Sequence, residues 1–295
     1  MPSDRFDKLI ADIVALRIQG AEDVAREAIK GMARFAEERP RASLRKAADR
    51  LIATRPTEPM MRNAAAYFLA NAERQGASRV RDHLLAQFDA ADRLIAAYAA
   101  GLVKENACYA THCHSSTVMA AFLEAKRLGK RFTVRNTETR PRFQGRITAS
   151  ELAAAGIPVI HSVDAAMRTE LDGCAAVFLG ADALLRDGSA ANKIGSGLIA
   201  ELAFSRRIPV FILASSWKYD ERSPSGYEAT LERRPPSEVW PDAPPRVSVR
   251  NTAFEIVDAR HITAIITELG IREPRGAIAE IEQRRRWRAV DGKNA

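Results

Sequence analysis

From about residue 106 onward the chain alternates short β-rich runs with helical stretches, and this alternation restricts the fold more than any other feature. The runs are ACYAT (107–111), RFTVR (131–135), IPVIHSV (157–163), AAVFLGAD (175–182), IPVFILAS (208–215) and RVSVR (246–250). Strands separated by helices build βαβ units, because a parallel partner can be reached only by a long crossover. Upstream the texture is helical: Leu9, Ile10, Ile13, Val14 and Leu16 recur at three- and four-residue steps, and strand signals are nearly absent up to residue 100. Pro40, Pro56 and Pro59 interrupt that pattern, so three or more helices are predicted there. The expected fold class is α/β, with a helical N-terminal domain over residues 1–103 and a Rossmann-like, mostly parallel β-sheet domain over residues 104–295.

Sheets of this kind hold ligands just beyond the carboxyl ends of their strands. The polar clusters sit there: THCHSST (111–117) follows the first run, NTETRPRFQG (136–145) the second, GAD and NKIGSG (192–197) the fourth, and SSWKYD (215–220) the fifth. The stretch from Ser216 to Pro245 is rich in proline and charge and is predicted to be a long ordered surface loop.

Composition narrows the partners. With 46% hydrophobic and 28% charged residues, the 295-residue chain is expected to fold as a globule. A formal net charge of +8 favours an anionic partner without distinguishing nucleic acid from a phosphorylated metabolite. Arg284, Arg285, Arg286 and Arg288 crowd the end of the chain; the competing readings are an RNA-binding tail and a solvated helical surface. No apolar run approaches the roughly 20 residues of a membrane helix, and MPSDRFDKLI has no signal core, so the cytoplasm is expected. Cys108, Cys113 and Cys174 are too few for a disulfide framework, so reduced thiols are expected.

Two residues stand out for chemistry. Cys113 follows a strand and precedes small hydroxyl residues at the start of the next helix. A helix N-terminus lowers a thiol pKa and offers N–H groups to an anion, whereas the bland alternative is a buried, inert cysteine. His112 and His114 alternate in direction with Cys113, and no second ligand cluster accompanies them, which argues against a metal. Asp182 ends an apolar strand, where a carboxylate has its pKa raised and can move a proton; the alternative is a turn or helix cap. Asn192, Lys193 and Gly195 offer an amide, an ammonium and backbone N–H groups to a phosphate or sugar, in an order unlike that of a Walker loop. Arg140 and Arg142 read either as anion ligands or as surface ion pairs.

Taken together in order and spacing, THCHSST, NTETRPRFQG, IPVIHSVDAA, GADALLRDG, NKIGSG, SSWKYD and NTAFEIV resemble the initiation factor 2B alpha/beta/delta superfamily over roughly residues 12–275. That superfamily holds regulatory subunits of a translation exchange factor, methylthioribose-1-phosphate isomerase and archaeal-type ribose-1,5-bisphosphate isomerase. In the isomerases the Cys of a THC motif and the Asp of a GAD motif form the catalytic pair, matched here by Cys113 and Asp182; the exchange-factor alpha subunits lack both. HCHSST and SSWKYD resemble the ribose-1,5-bisphosphate enzyme most. The resemblance implies an aldose–ketose isomerase acting on a ribose 1-phosphate derivative, with no metal or organic cofactor, as a homodimer or hexamer. Its implied substrate-binding positions are Gly20, Ala21, Arg55, Ser115, Ser116, Thr117, Gln144, Asn192, Lys193 and Lys218, with Arg140 added from the residues themselves. The isomerases carry Arg before Gly-Ala; here that position is Gln19, which removes a charge from phosphate binding. The alternatives are a sugar-phosphate- or nucleotide-sensing regulatory protein of the same superfamily, which would have a translation factor as partner, and methylthioribose-1-phosphate isomerase.

Overall fold

The computed structural model describes residues 2–223 and 234–290. Five helices come first: α1 (Pro2–Val14), α2 (Ala21–Glu38), α3 (Leu44–Thr54), α4 (Pro59–Gln75) and α5 (Ala77–Leu102). Pro59 stands at the first position of α4, where its missing N–H costs no bond. There follow β1 (Ala107–Thr111), α6 (Ser116–Arg127), β2 (Phe132–Thr137), α7 (Gln144–Ala154), β3 (Val159–Ser162), α8 (Met167–Glu170), β4 (Ala176–Gly180), β5 (Ala183–Leu185), β6 (Ala190–Lys193), α9 (Ser196–Ser205), β7 (Val210–Leu213), β8 (Tyr219–Asp220), β9 (Phe254–Val257), β10 (Ala264–Thr267), β11 (Gly270–Arg272) and α10 (Pro274–Val290).

The main sheet has the order β11-β10-β7-β4-β1-β2-β3, parallel throughout except for β11 at one edge. Strand β4 is buried at every position, as a central strand covered on both faces must be. Five of the six β-rich runs become strands of this sheet. RVSVR does not: residues 246–250 form a turn and irregular chain, Arg246 adopts φ +76°, and Val247 is exposed. Its alternating pattern lacks a partner edge to complete a ladder. A second sheet that the run pattern did not reveal, β8-β5-β6-β9, mixes parallel and antiparallel pairs. It is built from the short segments after Asp182, so Asn192 and Lys193 lie on a strand and not in a loop.

Helix α5 serves two cores. Val80, Leu84 and Phe88 pack with α1–α4, whereas Ile95, Ala99 and Ala100 pack against the main sheet beside Tyr109, Phe122 and Phe178. The helical core also takes in a residue from far along the chain: Trp217 packs edge-on to Tyr67 and Phe88, with ring centroids 5.9 and 5.5 Å apart. The Asn63 amide donates to the carbonyls of Trp217 and Tyr219 at 2.7 and 2.9 Å, and Arg62 pairs with Asp220 at 2.6 Å. The helices thereby hold Lys218, which lies between these anchors. Among the described residues, no helix is long and apolar enough to cross a membrane. Arg284 and Arg285 lie on α10, and the side chains of Arg286 and Arg288 fall outside the described residues.

Candidate active site

A cavity of about 290 Å³ opens where the carboxyl ends of β1 and β4 meet the starts of α2, α6 and α7. Its wall includes Gln19, Gly20, Ala21, Arg55, Cys113, Ser115, Ser116, Gln144, Asp182, Asn192, Lys193 and Lys218, which gathers most of the expected site residues from seven separate stretches of chain.

Cys113 follows β1 in a left-handed conformation with φ +65°. A side chain rarely adopts this region, so the surroundings must hold it. Its N–H donates to Thr139 Oγ1 at 3.0 Å, and its carbonyl accepts from Thr148 Oγ1 at 2.8 Å. The backbone N–H groups of Thr139 and Arg140 in turn donate to the two carboxylate oxygens of Asp164 at 2.8 and 2.7 Å. Burial pushes the Cys113 thiol up to about 11, with Lys193 acting against it and Asp182 adding to it. This corrects the expected lowering: desolvation of the thiolate outweighs the nearby helix start.

His112 is structural. Its Nε2 lies 2.8 Å from the Ile194 carbonyl, which can only accept, so Nε2 carries the proton and Nδ1 accepts from Thr137 Oγ1 at 2.7 Å. Burial lowers its pKa and keeps it neutral. This one ring ties the ends of β1, β2 and β6 together. Gly195 allows it to do so: with φ +101°, a Cβ there would stand 2.8 Å from His112 Nε2. Gly180 plays the same part below the start of α6, where a Cβ would meet Ser115 Oγ at 2.5 Å. Ser115 caps α6, its Oγ accepting from the Val118 N–H at 3.4 Å.

Asp182 lies between β4 and β5, half-buried, with its N–H donating to the Ala191 carbonyl at 2.8 Å. Lys193 is buried with its ammonium 5.2 Å from the Phe254 ring centre, and Asn192 donates to Ser196 Oγ at 2.8 Å. Lys218 is buried and donates to the Ala181 carbonyl at 2.8 Å, beside Asp182. Arg55 and Glu58 form a buried pair at 2.9 Å. The expected backbone cradle at Gly195 is taken: the N–H groups of Gly195 and Gly197 both donate to Glu255 Oε1, at 2.7 and 2.6 Å. A carboxylate of the chain itself thus satisfies the start of α9.

Two expected residues lie elsewhere. Thr117 is buried within α6 and does not line the cavity. Arg140 turns outward, donating to the Val239 carbonyl at 3.1 Å and lying 5.0 Å from the centre of the Phe143 ring, while Arg142 pairs with Glu238 at 3.0 Å. The ion-pair reading holds for Arg142, whereas Arg140 has a backbone carbonyl and an aromatic ring as its partners. Residues not anticipated but present in the wall include Glu22, Asp23, Glu58, Ile147, Arg234 and Phe254. The acidic pair beside Gly20-Ala21 was legible as a helix first turn, but its position at a site depends on how α2 packs. Gln19, on the wall, donates its amide to the Leu16 carbonyl at 2.8 Å and so closes the end of α1. Among the described residues, no group of three or more His, Cys, Asp and Glu is arranged to hold a metal.

The profile of the Initiation factor 2 subunit family matches residues 17–274. The chain belongs to that family. It is 32% identical over 291 residues to ribose 1,5-bisphosphate isomerase of Archaeoglobus fulgidus, covering 95% of this chain and 93% of that protein. It is 35% identical over 258 residues to methylthioribose-1-phosphate isomerase of Syntrophotalea carbinolica, covering 78% of this chain and 74% of that protein. The crystal structure of translation initiation factor eIF-2B from Pyrococcus horikoshii superposes with a TM-score of 0.85 at 27% identity, covering 93% of this chain and 98% of that one. The family's fold is thus shared by proteins named as enzymes and as a translation factor, and the cavity has to decide between them.

Proposed function

We propose that this chain is an aldose–ketose isomerase that converts ribose 1,5-bisphosphate to ribulose 1,5-bisphosphate. The observation that carries the reading is the meeting of Cys113 and Asp182 in one cavity with Lys193 and Lys218. A binding protein needs the cations alone; a proton-transfer pair beside them suits catalysis. Relatives named as ribose 1,5-bisphosphate isomerase align over nearly the whole chain, which supports the same substrate.

The anomeric oxygen of the substrate carries phosphate, so the furanose ring must open before hydrogen can move. Asp182 donates a proton to the ring oxygen as the bond from C1 to that oxygen breaks. Cys113 takes the C2 hydrogen as a proton, and a C1–C2 double bond forms. The C2 hydroxyl then gives up its proton as the carbonyl forms, and C1 receives one, so two protons leave and two arrive. Burial keeps the thiol protonated in the free protein; it must yield that proton before it can act, and Lys193 is the cation that favours the thiolate. Lys193, Lys218 and Arg55 hold phosphate oxygens by charge-assisted hydrogen bonds. Residues 1–103 and 104–295 are read as two domains sharing α5, and the chain as a homo-oligomer.

The test is a panel of ribose 1,5-bisphosphate, ribose 1-phosphate and methylthioribose 1-phosphate, run on the parent, Cys113→Ser and Asp182→Asn. Turnover of the bisphosphate that falls by several orders of magnitude in both variants, with the fold retained, is the expected result. Preference for the methylthio compound would reassign the substrate. No turnover of any of the three, with retained binding, would make the protein a sensor.

A further inference from the structure

Of the three cysteines, the mechanism uses Cys113 and leaves two that meet elsewhere. Cys108, half-buried on β1, and Cys174, buried in the turn ahead of β4, stand with their sulfurs 3.3 Å apart. They lie at the amino ends of neighbouring parallel strands, whereas the cavity opens at the carboxyl ends. Backbone contacts hold them together. The Ala175 N–H donates to the Cys108 carbonyl at 2.7 Å, and Arg135, from β2, donates through Nη1 to the Glu170 and Asp172 carbonyls at 3.0 and 2.9 Å, which fixes the turn that carries Cys174. A disulfide is about 2 Å long, so the sulfurs have to approach by only about 1.3 Å. The two thiols are unlike. Cys174 donates to the Glu170 carbonyl at 3.2 Å, and that one hydrogen can turn instead to a thiolate on Cys108. This hydrogen bond, with the Arg135 guanidinium adding to it against burial and Glu170, brings the Cys108 thiol down to about 7.

We propose that Cys108 and Cys174 form a redox site at which a peroxide closes a reversible disulfide, fastening β1 to the turn before β4. The Cys108 thiolate attacks one peroxide oxygen; the O–O bond breaks, and the departing hydroxide takes up the proton that Cys108 gave away, leaving a sulfenic acid on Cys108. The Cys174 sulfur then attacks the Cys108 sulfur. The S–S bond forms, the S–O bond breaks, and the hydroxide leaves as water with the Cys174 proton. The two sulfurs lose two electrons between them, and the peroxide becomes two waters. Cys113 is the poorer target, because burial pushes its thiol up to about 11 and the other two sulfurs are paired with each other. Strand β1 leads from Cys108 to Cys113 and β4 leads from Cys174 to Asp182, so the bridge joins from behind the two strands that set the proposed catalytic pair.

The experiment treats Cys113→Ser, which keeps only this pair of cysteines, with hydrogen peroxide, blocks the remaining thiols with N-ethylmaleimide under denaturing conditions and weighs the intact chain. The expected product carries no maleimide, weighs two hydrogens less than the untreated chain, runs as a single chain in a denaturing gel without reductant, and regains both thiols on addition of dithiothreitol. Closing the bridge should raise the melting temperature by about 5 °C, since a cross-link restricts the unfolded chain. Adding Cys174→Ser should stop the oxidation at a Cys108 sulfenic acid that dimedone captures, and adding Cys108→Ser should leave Cys174 open to maleimide after the same treatment. Should Cys113→Ser fail to fold, the parent carries the test, with fragment masses of the cross-linked peptides telling Cys108 from Cys113. Both thiols still labelled after peroxide, a disulfide between two chains, or a bridge that leaves the melting temperature unchanged or lower overturns the proposal. None of these readouts needs turnover, so the result stands apart from the isomerase reading.

Discussion

Replacing Gly195 by alanine adds one methyl group at the joint where three strand ends meet. Two costs follow from the geometry. At φ +101° an L-residue is strained by about 1–2 kcal/mol. The new Cβ would also stand 2.8 Å from Nε2 and 3.0 Å from Cε1 of His112, distances that force either the ring or the backbone to shift, for about 1–3 kcal/mol more. The expected destabilisation is therefore about 2–5 kcal/mol. It should come with a lower kcat/KM, because moving the ring loosens its bond to Ile194, the residue next to Lys193. Urea denaturation of Gly195→Ala, His112→Ala and the double variant separates the two costs. With the imidazole gone the methyl group has room, so adding Gly195→Ala to His112→Ala should cost only the backbone part, about 1–2 kcal/mol. Strict additivity of the two single changes, or a Gly195→Ala cost below about 0.5 kcal/mol, would refute the claim that His112 and Gly195 form one joint.

Since burial raises the Cys113 thiol to about 11, the thiolate fraction grows with pH throughout the neutral and alkaline range, and the rate at which iodoacetamide alkylates Cys113 should climb about tenfold per unit from about pH 7 to 10. An alkylation rate that is flat over that range would refute the raised thiol. Asp92 is raised to about 7 by burial, then by its hydrogen bond and like charge with Glu22, against the pull of Arg26 and Lys218. The folded state therefore holds its proton more tightly than the unfolded one, and its stabilising contribution is lost as pH rises through about 7. Asp92→Asn should accordingly raise the melting temperature most at pH 8, less at pH 5, and leave it nearly unchanged below about pH 4. Trp217→Ala should cost about 3–5 kcal/mol and raise KM through the neighbouring Lys218, with Trp217→Phe recovering most of both; a KM unchanged in a destabilised Ala variant would uncouple the helical core from the site.

Much of this architecture could be read from local pattern. The helical first third follows from three- and four-residue apolar spacing, and ACYAT and AAVFLG announce buried parallel strands by being apolar at nearly every position. The motifs at those strand ends, THC and GAD, carry Cys113 and Asp182 to one edge because parallel strands all end on the same side. Local pattern failed where structure depends on partners distant in the chain. RVSVR alternates like a strand yet has no edge to join, and the small sheet around β5 and β6 consists of segments too short to show a period. The thiol's pKa depends on how much surrounding chain excludes water from it, which no spacing encodes. Arg140 looked like a site residue and Arg234 did not, because which arginine enters the cavity is decided by Glu238 and Asn251, roughly a hundred residues from the motif they restrain. The sequence determined which groups could do chemistry and on which edge of the sheet they would gather; packing between remote segments decided which of them face the cavity, since contacts across the chain follow from tertiary burial and not from neighbours in sequence.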